Sequence, residues 1–298
     1  MRRRSVPGKL GQEMEIEARR PEATRGRPPH HRHHHVLVVA ALVAMFAVAP
    51  LGLLVRLTSG VEPGPSPEPA TTTATAPAHR AVTVLLVGDS LIHEAAAGIT
   101  AELPGTTVID GSALGSGLLG GPVDWFARAA ELVARYRPEV VVVSFVGNYD
   151  PSSGTFAADT PAYYAAWAAA SRRLTDQLRA SGARVDWVAQ PPLHPANFYG
   201  IAATRTQVLT AQARALANRP GVGLVGADDA VSTADGSYTV THDVCGVSAT
   251  IRLADGVHFT TIGGDWWGAQ LGRAIAGLEQ LPARDACAVL VELDPALG

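Results

Sequence analysis

Cysteine is scarce in this sequence, since only Cys245 and Cys287 occur among the 298 residues. Because no further cysteine lies at metal-ligand spacing, a structural zinc site is poorly supported and no metal is predicted. Both cysteines follow a candidate membrane-spanning segment, and outside a membrane a disulfide between them is chemically permitted. We expect that disulfide, with two buried free thiols as the alternative.

Charged residues are also few, at 17% of the chain with a formal net charge of −3. This balance gives no electrostatic case for a nucleic-acid partner, and none is predicted. The 47% hydrophobic content favours a packed α/β core over global disorder. No internal repeat is visible, and no cofactor is predicted.

The longest stretch without charge covers residues 36–55 and reads VLVVAALVAMFAVAPLGLLV. Twenty residues of helix extend for ~30 Å, which is the thickness of a bilayer's hydrocarbon core. The preceding residues 1–35 are rich in arginine, and such a bias predicts a cytoplasmic N-terminus. We therefore expect a single-pass protein of the cell membrane with an extracellular domain, a cleaved signal peptide being the alternative.

The sequence predicts four regions. Residues 1–35 form a basic cytoplasmic tail, and residues 36–57 form the membrane anchor. Residues 58–80 are rich in proline and threonine, a composition typical of a solvated linker rather than a core. Residues 81–298 form the folded domain. A histidine cluster before the anchor is interpreted as a solvated flank.

Within the domain, unbroken apolar runs alternate with helical segments. Continuous hydrophobicity is typical of strands buried on both faces of a parallel sheet, and the alternation predicts helices on both faces. The predicted fold is a three-layer α/β/α structure with a five-stranded parallel sheet. The predicted strands cover residues 82–87, 107–110, 139–145, 184–189 and 222–225, and the predicted helices cover 90–103, 125–136, 161–181, 204–218 and 263–278.

Polar and glycine residues follow the predicted strands, where open parallel sheets form their sites. Ser90 follows the first strand and could act as a nucleophile once a base takes its proton. His258 could be that base, with Asp255 holding its imidazole. The amides of Ser90 and Gly115 and the side chain of Asn148 could stabilise an oxyanion.

Alternatives remain for each of these residues. Gly-Asp-Ser is also a common helix start, and His258 could be a core histidine. Gly117 is the alternative to Gly115 as the second amide donor. His194 could contact substrate, whereas His93 is interpreted as a rim residue.

The blocks Gly88-Asp89-Ser90, Gly115, Gly147-Asn148 and Asp255-Gly256-Val257-His258 resemble those of the SGNH, or GDSL, hydrolase superfamily. The resemblance covers residues 81–280 and departs from the usual Gly-x-Asn-Asp block in having the glycine adjacent to the asparagine. It implies a flavodoxin-like fold, Ser90 as nucleophile and amide donor, Gly115 and Asn148 as oxyanion donors, and Asp255 and His258 as triad partners.

The expected function is hydrolysis of an acyl ester, such as an acetyl ester, through an acyl-enzyme. The substrate would be an acylated small molecule, glycan or lipid, and an outward-facing enzyme would meet cell-envelope glycans or lipids. One alternative is O-acyl transfer with the same triad. Another is a non-catalytic envelope-binding module, since a fold alone does not prove activity.

Overall fold

The computed structural model describes residues 81–146 and 157–295. The predicted tail, anchor and linker lie outside the described residues, as does Asn148. Among the helices in those two ranges, none has the length and apolar character needed to cross a bilayer.

A five-stranded parallel sheet forms the centre of the domain, in the order β2-β1-β3-β4-β5. This confirms the predicted α/β fold, and the strand order is flavodoxin-like. The strands are β1 (Thr83–Gly88), β2 (Thr107–Asp110), β3 (Val140–Ser144), β4 (Arg184–Val188) and β5 (Val222–Val225).

Helices cover both faces of the sheet because successive strand side chains point to opposite sides. In β1, Val84 and Leu86 pack with the first and fifth helices, whereas Leu85 and Val87 pack with the second to fourth. The helices are α1 (Ser90–Glu102), α2 (Trp125–Tyr136), α3 (Pro161–Arg179), α4 (Arg205–Ala217), α5 (Thr261–Glu279) and α6 (Ala286–Leu293).

Helices α1 and α5 cross at very short range, and glycines make that approach possible. A Cβ atom added to Gly98 would lie 2.1 Å from the carbonyl oxygen of Asp265. A Cβ atom added to Gly268 would lie 2.1 Å from the carbonyl oxygen of Ala95. The α1–α5 crossing therefore depends on positions without a side chain.

Two features at the C-terminal side were not predicted. A two-stranded antiparallel hairpin, β6 (Thr241–Val244) and β7 (Val247–Thr250), precedes the last long helix, and the short helix α6 follows it.

Cys245 in the hairpin turn is disulfide-bonded to Cys287 in the first turn of α6, with their Cα atoms 5.6 Å apart. The disulfide thus attaches the hairpin to the end of the chain.

Candidate active site

The turn between β1 and α1 places Ser90 at a helix N-terminus. Gly88 ends the strand where a Cβ atom would lie 1.9 Å from the carbonyl oxygen of Ser144 on β3. Asp89 caps α1, because its carboxylate accepts a hydrogen bond from the amide of Leu91. A helix N-terminus favours negative charge that develops beside it.

Three of the predicted site residues form one hydrogen-bonded chain. The Oγ of Ser90 lies 2.8 Å from Nε2 of His258. The Nδ1 of the same ring lies 2.7 Å from Oδ2 of Asp255. A serine, an imidazole and a carboxylate in this sequence of contacts can move the serine proton to the ring.

The carboxylate of Asp255 is held in its charged form. Burial raises the pKa of Asp255, but the backbone amides of Val257 and His258 and the His258 ring donate to it and outweigh burial, so that the pKa lies below its usual range. Both backbone amides donate to Oδ1, the oxygen that does not face the ring, so this oxygen fixes the turn that carries the imidazole. A carboxylate that stays ionised can stabilise an imidazolium beside it.

Asp89 connects the nucleophile turn to the segment that follows β3. Its side chain is fully buried and accepts a hydrogen bond of 2.7 Å from the amide of Val146 as well as the one from Leu91. Burial raises the pKa of Asp89 to about 7, although both hydrogen bonds oppose that shift. Asn148 lies two residues beyond Val146, outside the described residues.

The loop after β2 brings glycine backbone to the same edge of the sheet. Gly115 and Gly117 both line the cleft that contains Ser90 and His258. Gly115 has a φ of 66°, and Gly117 pairs with Gly120 in an antiparallel bridge. Both predicted amide donors therefore lie near Ser90, and the choice between them stays a prediction.

A family model described as "Protein of unknown function (DUF459)" matches residues 83–272, which is more than half of the chain. The chain belongs to the DUF459 family. The matched range begins at β1 and ends within α5, so it contains Ser90, Asp255 and His258. Among proteins of curated function, none matches the chain.

Several solved structures are similar to this DUF459 protein at low identity. A lipase/acylhydrolase from Enterococcus faecalis is 18% identical with a TM-score of 0.45, over 68% of this chain and 99% of that one. The psychrotrophic esterase EstA of a Pseudoalteromonas species is 15% identical with a TM-score of 0.45, over 66% of this chain and 98% of that one. The catalytic domain of a Streptococcus pneumoniae peptidoglycan O-acetyltransferase is 14% identical with a TM-score of 0.39, over 69% and 98%.

The cleft of the DUF459 domain has a volume of about 760 Å³ and lies between two loops. One loop follows β2 and contributes six residues between 114 and 122, and the other follows β4 and contributes Tyr199 and Ile201. Since β2 and β4 lie on opposite sides of β1 in the sheet, these loops flank Ser90. In the described ranges, no group of three or more His, Cys, Asp or Glu side chains could hold a metal ion.

Sequence reasoning missed two residues at the site. Arg252 is buried under the turn that carries His258, where it donates a 2.8 Å hydrogen bond to the carbonyl of Val257 and stacks 3.7 Å above the Phe259 ring. Burial lowers the pKa of this guanidinium to about 10. Tyr199 lies in edge contact with His258. In the sequence, an arginine between two apolar residues, six positions before the histidine, was a signal for Arg252, whereas Tyr199 in its loop gave none.

The two other histidines considered from the sequence, His93 and His194, occupy different positions. The Nδ1 of His93 lies 2.7 Å from Asp110 at the end of β2, and Ser112 donates to the same carboxylate. This cluster is exposed and fixes the start of the loop after β2. His194 uses its backbone amide to bind the carbonyl of Gly256.

Proposed function

We propose that this DUF459 protein is a serine esterase that cleaves an acyl ester through a covalent acyl-enzyme. The observation that carries the proposal is the 2.8 Å contact between the Ser90 Oγ and the His258 Nε2, with Asp255 on the opposite ring nitrogen. Ser90 and His258 both line the cleft, so a nucleophile and its base are open to a substrate there. A binding module would not require this chain of contacts.

The proposed reaction has two balanced steps. In the first, the Ser90 Oγ bonds to the ester carbonyl carbon, its proton moves to His258 Nε2, and the carbonyl electron pair moves to oxygen. Collapse of this intermediate restores the carbonyl and expels the alcohol oxygen, which takes the proton from His258. In the second step, water repeats the attack with His258 as base, and the products are a carboxylic acid and free Ser90.

The oxyanion needs donors on the side of the carbonyl away from His258. The amides of Ser90 and Gly115 and the side chain of Asn148 are proposed for this role. The amide of Ser90 also belongs to the first turn of α1, so it is one of the helix N–H groups without an intrahelical acceptor. Loss of one such donor costs about 2.7–4 kcal/mol of transition-state stabilisation in well-studied serine hydrolases.

The test is hydrolysis of p-nitrophenyl acetate by the purified full chain. We expect Ser90→Ala to abolish turnover, with Ser248→Ala, a change of an exposed serine on β7, as the matched control. A fluorophosphonate probe should add mass to a peptide containing Ser90 in the wild type and the control only. Turnover by Ser90→Ala equal to that of the wild type would exclude this mechanism.

We also propose that residues 36–57 anchor the enzyme in the cell membrane with the domain outside. The arginine excess before this segment supports the orientation. The Cys245–Cys287 disulfide is chemically consistent with an oxidising compartment. Added protease should degrade the domain on intact cells, and a domain that is protected until the cells are lysed would contradict the orientation.

A further inference from the structure

Two neighbouring aromatic side chains are exposed beside the cleft, and one of them, Tyr199, lines it. Phe198 is 83% exposed and Tyr199 is 52% exposed, and their rings meet edge to face at 5.3 Å. We call this pair the aromatic platform. An exposed apolar cluster beside a catalytic cleft is typical of a binding surface rather than of a core.

The platform is held by an ordered loop. The amide of Phe198 donates 2.8 Å to the carbonyl of Asp255, so the loop is attached to the turn that carries His258. The side chain of Asn197 donates to the carbonyls of His194 and Ile201 and accepts from the amide of Ile201. Because these hydrogen bonds order the loop, the two rings start from a defined backbone position, which reduces the entropy cost of binding.

The platform lies on the side of His258 where the alcohol portion of an ester substrate would leave. The Tyr199 ring contacts the His258 ring edge to face, with centroids 5.6 Å apart. In the proposed reaction, His258 delivers its proton to the departing alcohol. The group bonded to that oxygen must therefore lie next to Tyr199, whereas the acyl carbonyl lies toward Ser90 and Gly115.

The opposite wall of the cleft offers polar backbone and little bulk. It is built from the glycines of the loop after β2, and a Cβ atom on Gly115 or Gly121 would meet no atom within 4 Å. Among the described lining residues, His258 is the single titratable side chain besides the phenol of Tyr199. The described walls therefore suit a neutral group with one apolar face and several hydroxyls.

We propose that Phe198 and Tyr199 bind the alcohol portion of the ester, and that this alcohol is a neutral sugar ring. A pyranose presents C–H groups on one face, which pack on aromatic rings, and hydroxyls at its edge, which bond to backbone N–H and C=O groups. This inference rests on the proposed esterase function and specifies its substrate class. In acyl transfer, the same surface would hold the accepting sugar.

The experiment compares three acetate esters that differ in the alcohol alone: a mono-O-acetylated methyl glucoside, ethyl acetate and decyl acetate. The full chain is assayed as wild type, Phe198→Ala, Tyr199→Ala and Tyr199→Phe. Val291→Ala, an exposed apolar position on α6, is the matched control. We expect the two alanine variants to lower kcat/KM for the sugar ester about tenfold through KM, and to lower it less for ethyl acetate, whose alcohol portion has no ring to pack on the platform.

The outcomes separate this inference from the esterase proposal. Tyr199→Phe keeps the ring and should retain most activity on the sugar ester. Equal losses on all three esters, or no loss on the sugar ester, would overturn the platform while leaving Ser90 chemistry intact. A loss of kcat/KM confined to decyl acetate would indicate that the platform binds a lipid alcohol instead of a sugar. Failure of the esterase proposal has a different signature, because Ser90→Ala would then retain wild-type turnover.

Discussion

Buried carboxyl groups in this domain respond to their surroundings in opposite ways. Asp255 receives several hydrogen bonds, and they keep its pKa below the usual range despite partial burial. Asp186, in the middle of β4, is fully buried, and neither of its side-chain oxygens has a hydrogen-bond partner. Burial raises the pKa of Asp186 to about 7, with repulsion from Glu279 acting in the same direction. The two groups differ both in depth and in the number of donors that reach the carboxylate.

This difference predicts a pH-dependent effect of Asp186→Asn on stability. A carboxyl whose pKa is raised in the folded state contributes stability at low pH, and the contribution is lost as pH rises from about 4 through about 7. In the asparagine variant, the side chain at position 186 does not titrate. Relative to it, the wild type should lose on the order of 2–3 kcal/mol between pH 5 and pH 8.

Urea unfolding of both proteins at the two pH values measures this change. Asp89 and Glu102, whose pKa values are also raised by burial, occur in both proteins and cancel in the difference. A stability difference that is the same at pH 5 and pH 8 would show that Asp186 does not titrate in this range.

At the scale of secondary-structure elements, the α1–α5 crossing positions the nucleophile. Gly98→Ala should destabilise the domain by about 1–3 kcal/mol, because the new methyl group would overlap the backbone of Asp265 and force the helices apart. Gly277→Ala in α5 is the matched control, since a Cβ atom there meets nothing within 4 Å. The control should be neutral or stabilising by up to about 1 kcal/mol. Thermal unfolding compares the stability of the two variants. Equal melting temperatures for Gly98→Ala and Gly277→Ala would contradict the packing argument.

The same elements explain what the sequence could predict. The unbroken apolar run of β3, VVVVS, indicated a buried strand, and all five strands of the sheet were predicted. Helices α2 and α3 begin directly after Asp124 and Thr160, whose side chains cap them, and both helices were predicted at these starts. The hairpin was missed because β6 and β7 are largely exposed and lack an apolar alternation.

The site was only partly predictable for a related reason. Ser90 follows a strand and Asp255 lies three residues before His258, so local sequence indicated their chemistry. The aromatic platform lies in a loop without periodicity, and its place beside His258 depends on hydrogen bonds to a turn about sixty residues later. Such a contact has no signature in either segment alone.

For the whole molecule, the disulfide is the main covalent constraint. It closes a loop of 42 residues that contains the catalytic turn and α5. Replacement of both cysteines by serine should lower the free energy of unfolding by about 2–4 kcal/mol, because the unfolded chain regains freedom. Thermal unfolding with and without a reducing agent measures the effect. The reductant should lower the melting temperature of the wild type alone, and an unchanged wild type would contradict the stabilising role.

The Ser90–His258 contact also constrains when the proposed active site can fold during synthesis of the chain. Its partners are 168 residues apart, and α1 packs on a helix that begins only at Thr261. During synthesis, the nucleophile helix is therefore complete long before the surface that buries it has left the ribosome. Contacts of such large sequence separation slow folding and leave intermediates exposed. No nascent chain that ends before α5 can assemble this site, so activity should arise only when translation of the domain is nearly finished.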